Sequence, residues 1–115
     1  MSRLKKGQKV RQGDVLLTFI GDDPLPGDVT LVERDQGRVI LAYGEVTGHA
    51  HAIADPLVEL FTAADMDEMQ GRFLRVEQEA ELRHEEHDTI VLPPGNYRVQ
   101  RQREYTPEQP VYVAD

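Results

Sequence analysis

Cysteine is absent from this chain, which removes disulfide staples, thiolate metal ligands and a cysteine nucleophile, and leaves the redox compartment undetermined. Long apolar runs are also absent. No stretch approaches the roughly 20 residues of a membrane-spanning helix, and Leu16-Leu17-Thr18-Phe19-Ile20 is too short for the apolar region of a secretory leader. The expectation is a soluble, cytoplasmic protein with no membrane partner.

Net positive charge is lacking too. The formal net charge is −8, so the field around most of the surface would repel a phosphate backbone, and a general nucleic-acid binder is not expected. The cations that exist are unevenly placed. Arg3, Lys5, Lys6, Lys9 and Arg11 crowd residues 1–12, which read as a basic N-terminal arm, a solvated terminus being the common fate of such a run. Arg98, Arg101 and Arg103 crowd a later strand and, with Tyr97 and Tyr105, leave open a metal-free domain that binds an anion or a protein. The hydroxyls nearest a histidine or a terminus, Ser2, Thr47 and Thr89, lie in no nucleophile-elbow sequence, so serine-triad hydrolysis has no support.

Helical periodicity sustained over three turns is nowhere found. What remains is 115 residues, 39% apolar and 30% charged, one domain's worth of chain with short β-branched or alternating runs between turn residues. The spacing predicts strands over Val15–Ile20, Val29–Glu33, Arg38–Tyr43, Thr47–Ile53, Leu57–Thr62, Phe73–His84, Thr89–Leu92 and Tyr97–Arg103. Residues 63–71 read as an exposed loop or one helical turn. Asp35-Gln36-Gly37 predicts one hairpin and Pro93-Pro94-Gly95-Asn96 a second, with Pro94-Gly95 suited to the centre of a type II turn. Val111-Tyr112-Val113, within a tail over 106–115, is a candidate last strand or an edge for pairing with a second copy, a route to a homo-oligomer. The fold class expected is all-β, a single small barrel or sandwich over residues 1–115 with little helix.

The chemistry is concentrated in four histidines, two close pairs with no fifth elsewhere. In Gly44-Glu45-Val46-Thr47-Gly48-His49-Ala50-His51, a strand would project His49 and His51 from one face with Cβ atoms about 7 Å apart, close enough for two ring nitrogens to meet one ion. The second pair is His84-Glu85-Glu86-His87. Leu74, Val76, Ala80, Leu82 and His84 share one parity, so His84 points inward. His87 joins it only if the chain bulges or turns at Glu85-Glu86. For any single histidine a satisfied core role is the simpler account. For two pairs together the better account is one shared site for a transition metal such as zinc, iron, nickel, copper or manganese, with His49, His51, His84 and His87 as ligands. Glu45, Asp55, Glu85, Glu86 and Asp88 are the carboxylates available to complete the shell, to orient a ring, or to act as a general base beside bound water. Whether such a site would be catalytic, structural or intersubunit is open, and no small-molecule ligand is indicated.

The segment from Gly44 to His51, with Asp55 beyond it, resembles the first motif of the cupin superfamily: a glycine, His-x-His, then an acidic residue. Asp88–Arg98, a strand running into a Pro-x-Gly turn, resembles the second. The resemblance covers about the central half of the chain and implies a metal-binding β-barrel, a metalloenzyme in many of its members. Asp55 stands where the family carries glutamate, and Arg98 where the second motif carries histidine. A cupin-like shell here would therefore draw its missing nitrogen from His84 or His87. The pattern Gln12-Gly13-Asp14-Val15-Leu16, Gly44–His51, His84–His87 and Gln102–Pro107 is also similar to small uncharacterised proteins of bacteria and their phages, a likeness that brings no activity with it.

Overall fold

The computed structural model describes residues 4–44, 48–63 and 71–101. These residues form ten strands and no helix: β1 (Lys9–Gln12), β2 (Val15–Gly21), β3 (Val29–Leu31), β4 (Val39–Tyr43), β5 (Ala50–Ile53), β6 (Val58–Ala63), β7 (Arg72–Val76), β8 (Ala80–Leu82), β9 (Ile90–Leu92) and β10 (Gly95–Arg101). Every ladder is antiparallel. Six strands make one sheet in the order β1-β2-β10-β7-β6-β3, while β4-β5 and β8-β9 are two-stranded ribbons. Ala52 and Arg83 exchange both backbone hydrogen bonds, each 2.9 Å, and so join the ribbons into a second layer.

The side chains follow the two-residue period of a half-buried strand. On β10 Tyr97 and Val99 are fully buried between half-exposed neighbours, and on β7 Leu74 and Val76 flank exposed Arg75. One apolar core joins these residues to Val15 and Leu17 of β2, Leu60 of β6, Val39 and Leu41 of β4, Ile53 of β5, Leu82 of β8 and Leu92 of β9. Both layers contribute to it, which makes the all-β fold a sandwich. The six-stranded sheet ends at β1 and β3 without closing into a barrel. A register shift between Ile40 and Ala42 takes Leu41 out of the β4-β5 ladder, and its carbonyl instead accepts a hydrogen bond from buried Arg72 of β7. Among the described residues, no helix is long and apolar enough to cross a membrane.

Several expectations of local pairing are corrected. Asp35 and Arg38 do bond reciprocally across a tight turn, but no hairpin grows from it. Val29–Leu31 pair with Phe61–Ala63, and Val39–Tyr43 with Ala50–Ile53. Arg34 holds the divergence, its guanidinium bonding the carbonyls of Gly37, Asp55 and Val58. The second hairpin is absent as well: β9 pairs with β8, and β10 with β2 and β7. Pro93 and Pro94 have no N–H to give a ladder, and the chain changes layers there. Phe73–His84 is two strands rather than one. Exposed Glu77-Gln78-Glu79 let the chain pass from the six-stranded sheet to the second layer, yet the inward parity of Leu74, Val76, Ala80 and Leu82 survives the break. Nor are residues 1–12 a free arm throughout, since β1 pairs with β2 from Lys9 onward and Gln12 is buried. The loop expected over 63–71, the strand at 111–113 and the tail over 106–115 fall largely or wholly outside the described residues.

Candidate metal centre

All four histidines gather at one place. His51 lies on β5, on the same parity as core residue Ile53, and is 3% exposed. His49 immediately precedes the strand and is half-buried. His84 and His87 stand in the loop between β8 and β9, where the chain bends over residues 85–87, so the bend needed to turn both rings one way is present. The Ala52–Arg83 bridge sets that loop beside β5. His84 is central: its ring centroid lies 4.4 Å from that of His51, 4.5 Å from His87 and 5.8 Å from His49. His51 and His87 stack nearly parallel at 5.8 Å.

The carboxylates divide by role. Donor atoms of His49, His84 and Glu85 lie within 4.8 Å of one another, an arrangement able to hold a metal ion. Glu85 is exposed and accepts the backbone N–H of Ala50 at 3.0 Å; that bond, with one from its own backbone, holds its carboxyl below the ordinary value. Glu86 Oε2 approaches His49 Nδ1 to 3.2 Å without making a hydrogen bond, leaving that buried nitrogen unsatisfied. Asp55 faces elsewhere, its carboxylate accepting from the Glu81 N–H. Asp88 enters through its backbone carbonyl, as an acceptor from Gln12. Glu45, Thr47 and Ser2 lie outside the described residues, as do Arg103 and Tyr105.

Three residues of the candidate cationic surface, Arg98, Arg101 and Tyr97, lie among the described residues. Arg101 bonds Asp14, Arg98 sits mid-sheet on β10 opposite Thr18 and Phe73, and Tyr97 is buried in the core with its hydroxyl donating to the Pro93 carbonyl.

The environments of His51 and His84 favour neutral imidazoles. Burial, reinforced by neighbouring His84, lowers the pKa of His51 to about 4, and burial with the field of His87 lowers that of His84. Neutral rings are what a metal ion requires. The tautomers differ. Glu86 N–H donates to His84 Nδ1 at 3.0 Å, so in the neutral ring the proton is on Nε2, and ligation through Nδ1 requires release of that bond. His51 is the opposite case, because its Nδ1 meets Gln12 Oε1 at 2.8 Å.

Sequence reasoning assigned no role to Gln12 or Asp14, which also border His51. Gln12, Gly13 and Asp14 form the turn between β1 and β2, and Gln12 and Asp14 contact the two nitrogens of the His51 ring. The available signal was a Gln-Gly-Asp triplet directly ahead of an apolar strand, which by itself is an ordinary turn.

His84 and Glu85 also line a cavity of about 260 Å³, together with Ala50, Ala52, Ala54, Arg38 and Arg83.

No curated protein and no solved structure matches the chain significantly. A family model does match over residues 11–102, a span that includes the β1–β2 turn and all four histidines, and the chain therefore belongs to the family described as a domain of unknown function, DUF8820.

Proposed function

We propose that this protein binds one transition-metal ion at the end of its sandwich, with His49, His51, His84 and His87 as the nitrogen donors and carboxylate completing the shell. The observation that carries the reading is the convergence of both histidine pairs on His84, each ring centroid within 6 Å of it, from segments far apart in the chain. Imidazole and carboxylate without sulfur suit zinc, iron, nickel or manganese, the donor chemistry of the cupin comparison carried on an open sandwich. A catalytic centre keeps one position open for an exchangeable ligand, whereas a structural centre is closed by protein ligands.

Protein prepared without an affinity tag is expected to retain, or take up at micromolar concentration, close to one equivalent of transition metal by elemental analysis. His84→Ala should weaken uptake by roughly tenfold or more, and combination with His51→Ala should be strongly non-additive because both rings serve one ion. Neither retention nor uptake by the wild-type chain would overturn the proposal.

A further inference from the structure

The turn between β1 and β2 grips the His51 ring from both ends. Gln12 Oε1 can only accept, so its 2.8 Å contact with Nδ1 requires the ring proton there. The amide cannot be turned over, because Gln12 Nε2 donates to the carbonyls of Leu82 and Asp88, each at 2.9 Å. In the neutral ring, Nε2 therefore carries a bare lone pair. Facing it at 3.5 Å is Asp14 Oδ1, another lone-pair atom.

That distance separates two accounts. A charge-assisted N–H···O bond would bring the atoms to about 2.7–2.9 Å. Two ligand atoms each about 2.1 Å from one ion, at a tetrahedral angle, stand about 3.4 Å apart. The 3.5 Å separation of Asp14 Oδ1 and His51 Nε2 is too long for the first relation and compatible with the second. Its other oxygen takes a 2.8 Å hydrogen bond from Arg101 Nε, while Oδ1 faces His51. Gly13 lets the turn approach this closely: its φ is +58°, and a Cβ there would lie 2.8 Å from His87 Nε2 and 3.1 Å from His51 Cε1.

We propose that Asp14 is a carboxylate ligand of the metal ion, acting with His51 Nε2, and that Gln12 is a positioning residue that sets the His51 tautomer. The inference rests on the metal-site reading above and adds a third chain segment to the shell. A carboxylate oxygen among imidazole nitrogens suits a divalent cation better than a neutral guest. Gln12, relayed to two backbone carbonyls, does for His51 what outer-shell acceptors do for metal-bound histidines generally.

The test uses the tag-free full chain and zinc alone. Zinc affinity of Asp14→Asn is expected to fall tenfold to a hundredfold relative to wild type, with the melting temperature of the metal-free variant little changed. Wild-type protein that takes up no zinc overturns this inference, and failure to take up iron, nickel or manganese as well overturns the metal-site reading. Wild-type uptake that Asp14→Asn leaves intact overturns this inference alone. Should the variant fail to fold, carboxylate NMR of the wild type decides: the Asp14 resonance is expected to shift on zinc addition, and a stationary resonance refutes ligation. For Gln12, imidazole nitrogen NMR of the metal-free wild type is expected to show His51 protonated on Nδ1. Protonation on Nε2 would refute the positioning role.

Discussion

His51 illustrates how much a single side chain depends on its surroundings. On β5 it takes a position that an aliphatic residue could occupy, and burial there disfavours the imidazolium. Its pKa falls to about 4, with the charge of neighbouring His84 acting in the same direction. In the unfolded chain the ring titrates near its ordinary value of about 6.5. Between those values the unfolded state binds the extra proton, so stability rises with pH across the window. The contribution is fully present above about 6.5 and is lost as pH falls toward about 4, and His84 shifts in the same sense. The metal-free protein should therefore lose on the order of 1 kcal/mol between pH 7 and pH 5, read from urea midpoints, with a flatter profile for His51→Gln. A wild-type midpoint constant across that window would contradict the buried neutral ring.

At the scale of elements, connections decide more than the strands themselves. The β1–β2 turn is tight and local, and it delivers Gln12 and Asp14 to a ring on another layer. The β9–β10 connection is the reverse case, a proline pair that ends one ladder and starts another. Gly95 opens β10 at φ +140°, and a Cβ there would run into the Phe19 ring, which itself packs edge-on against Tyr97 at 5.1 Å. Few residues but glycine accept that backbone region. Gly95→Ala should cost about 2 kcal/mol from backbone strain and displacement of Phe19, seen as a lower urea midpoint with an unchanged slope. An unaffected midpoint would mean that the crossover relaxes freely.

Across the whole molecule, the six-stranded sheet is continuous while the opposite layer is two ribbons joined by the Ala52–Arg83 bridge. The β4-β5 side carries His49 and His51, and the β8-β9 ribbon carries His84 and His87 in its loop. An ion bound by both pairs would tie the ribbons together beside their bridge. Zinc should then slow amide hydrogen exchange at Ala52 and Arg83 by tenfold or more and raise the melting temperature, both reversed by a chelator, since a ligand that binds only the folded state stabilises it by mass action. Protection confined to one ribbon would show that the ion does not bridge them.

The sequence alone determined the class of the fold and the residue types of the candidate site. Alternation at Leu74, Val76, Ala80 and Leu82 reads as inward-facing strand because side-chain parity is a local property of extended backbone, and it persisted through an unforeseen break at Gln78. The two histidine pairs were legible as candidates for the same reason: residue type and spacing are written in the chain. Only the tertiary structure decided which strands pair. The turn at Asp35–Arg38 and the Pro93–Asn96 segment carry strong local turn signals, but the ladders on either side go to partners chosen by burial in a shared core. Gln12 and Asp14 were hidden for that reason too. Gln12 is placed beside His51 by bonds to Leu82 and Asp88, 70 and 76 positions along the chain, and Asp14 is bonded to Arg101, 87 positions along; no local pattern encodes a contact that exists only once two layers have closed.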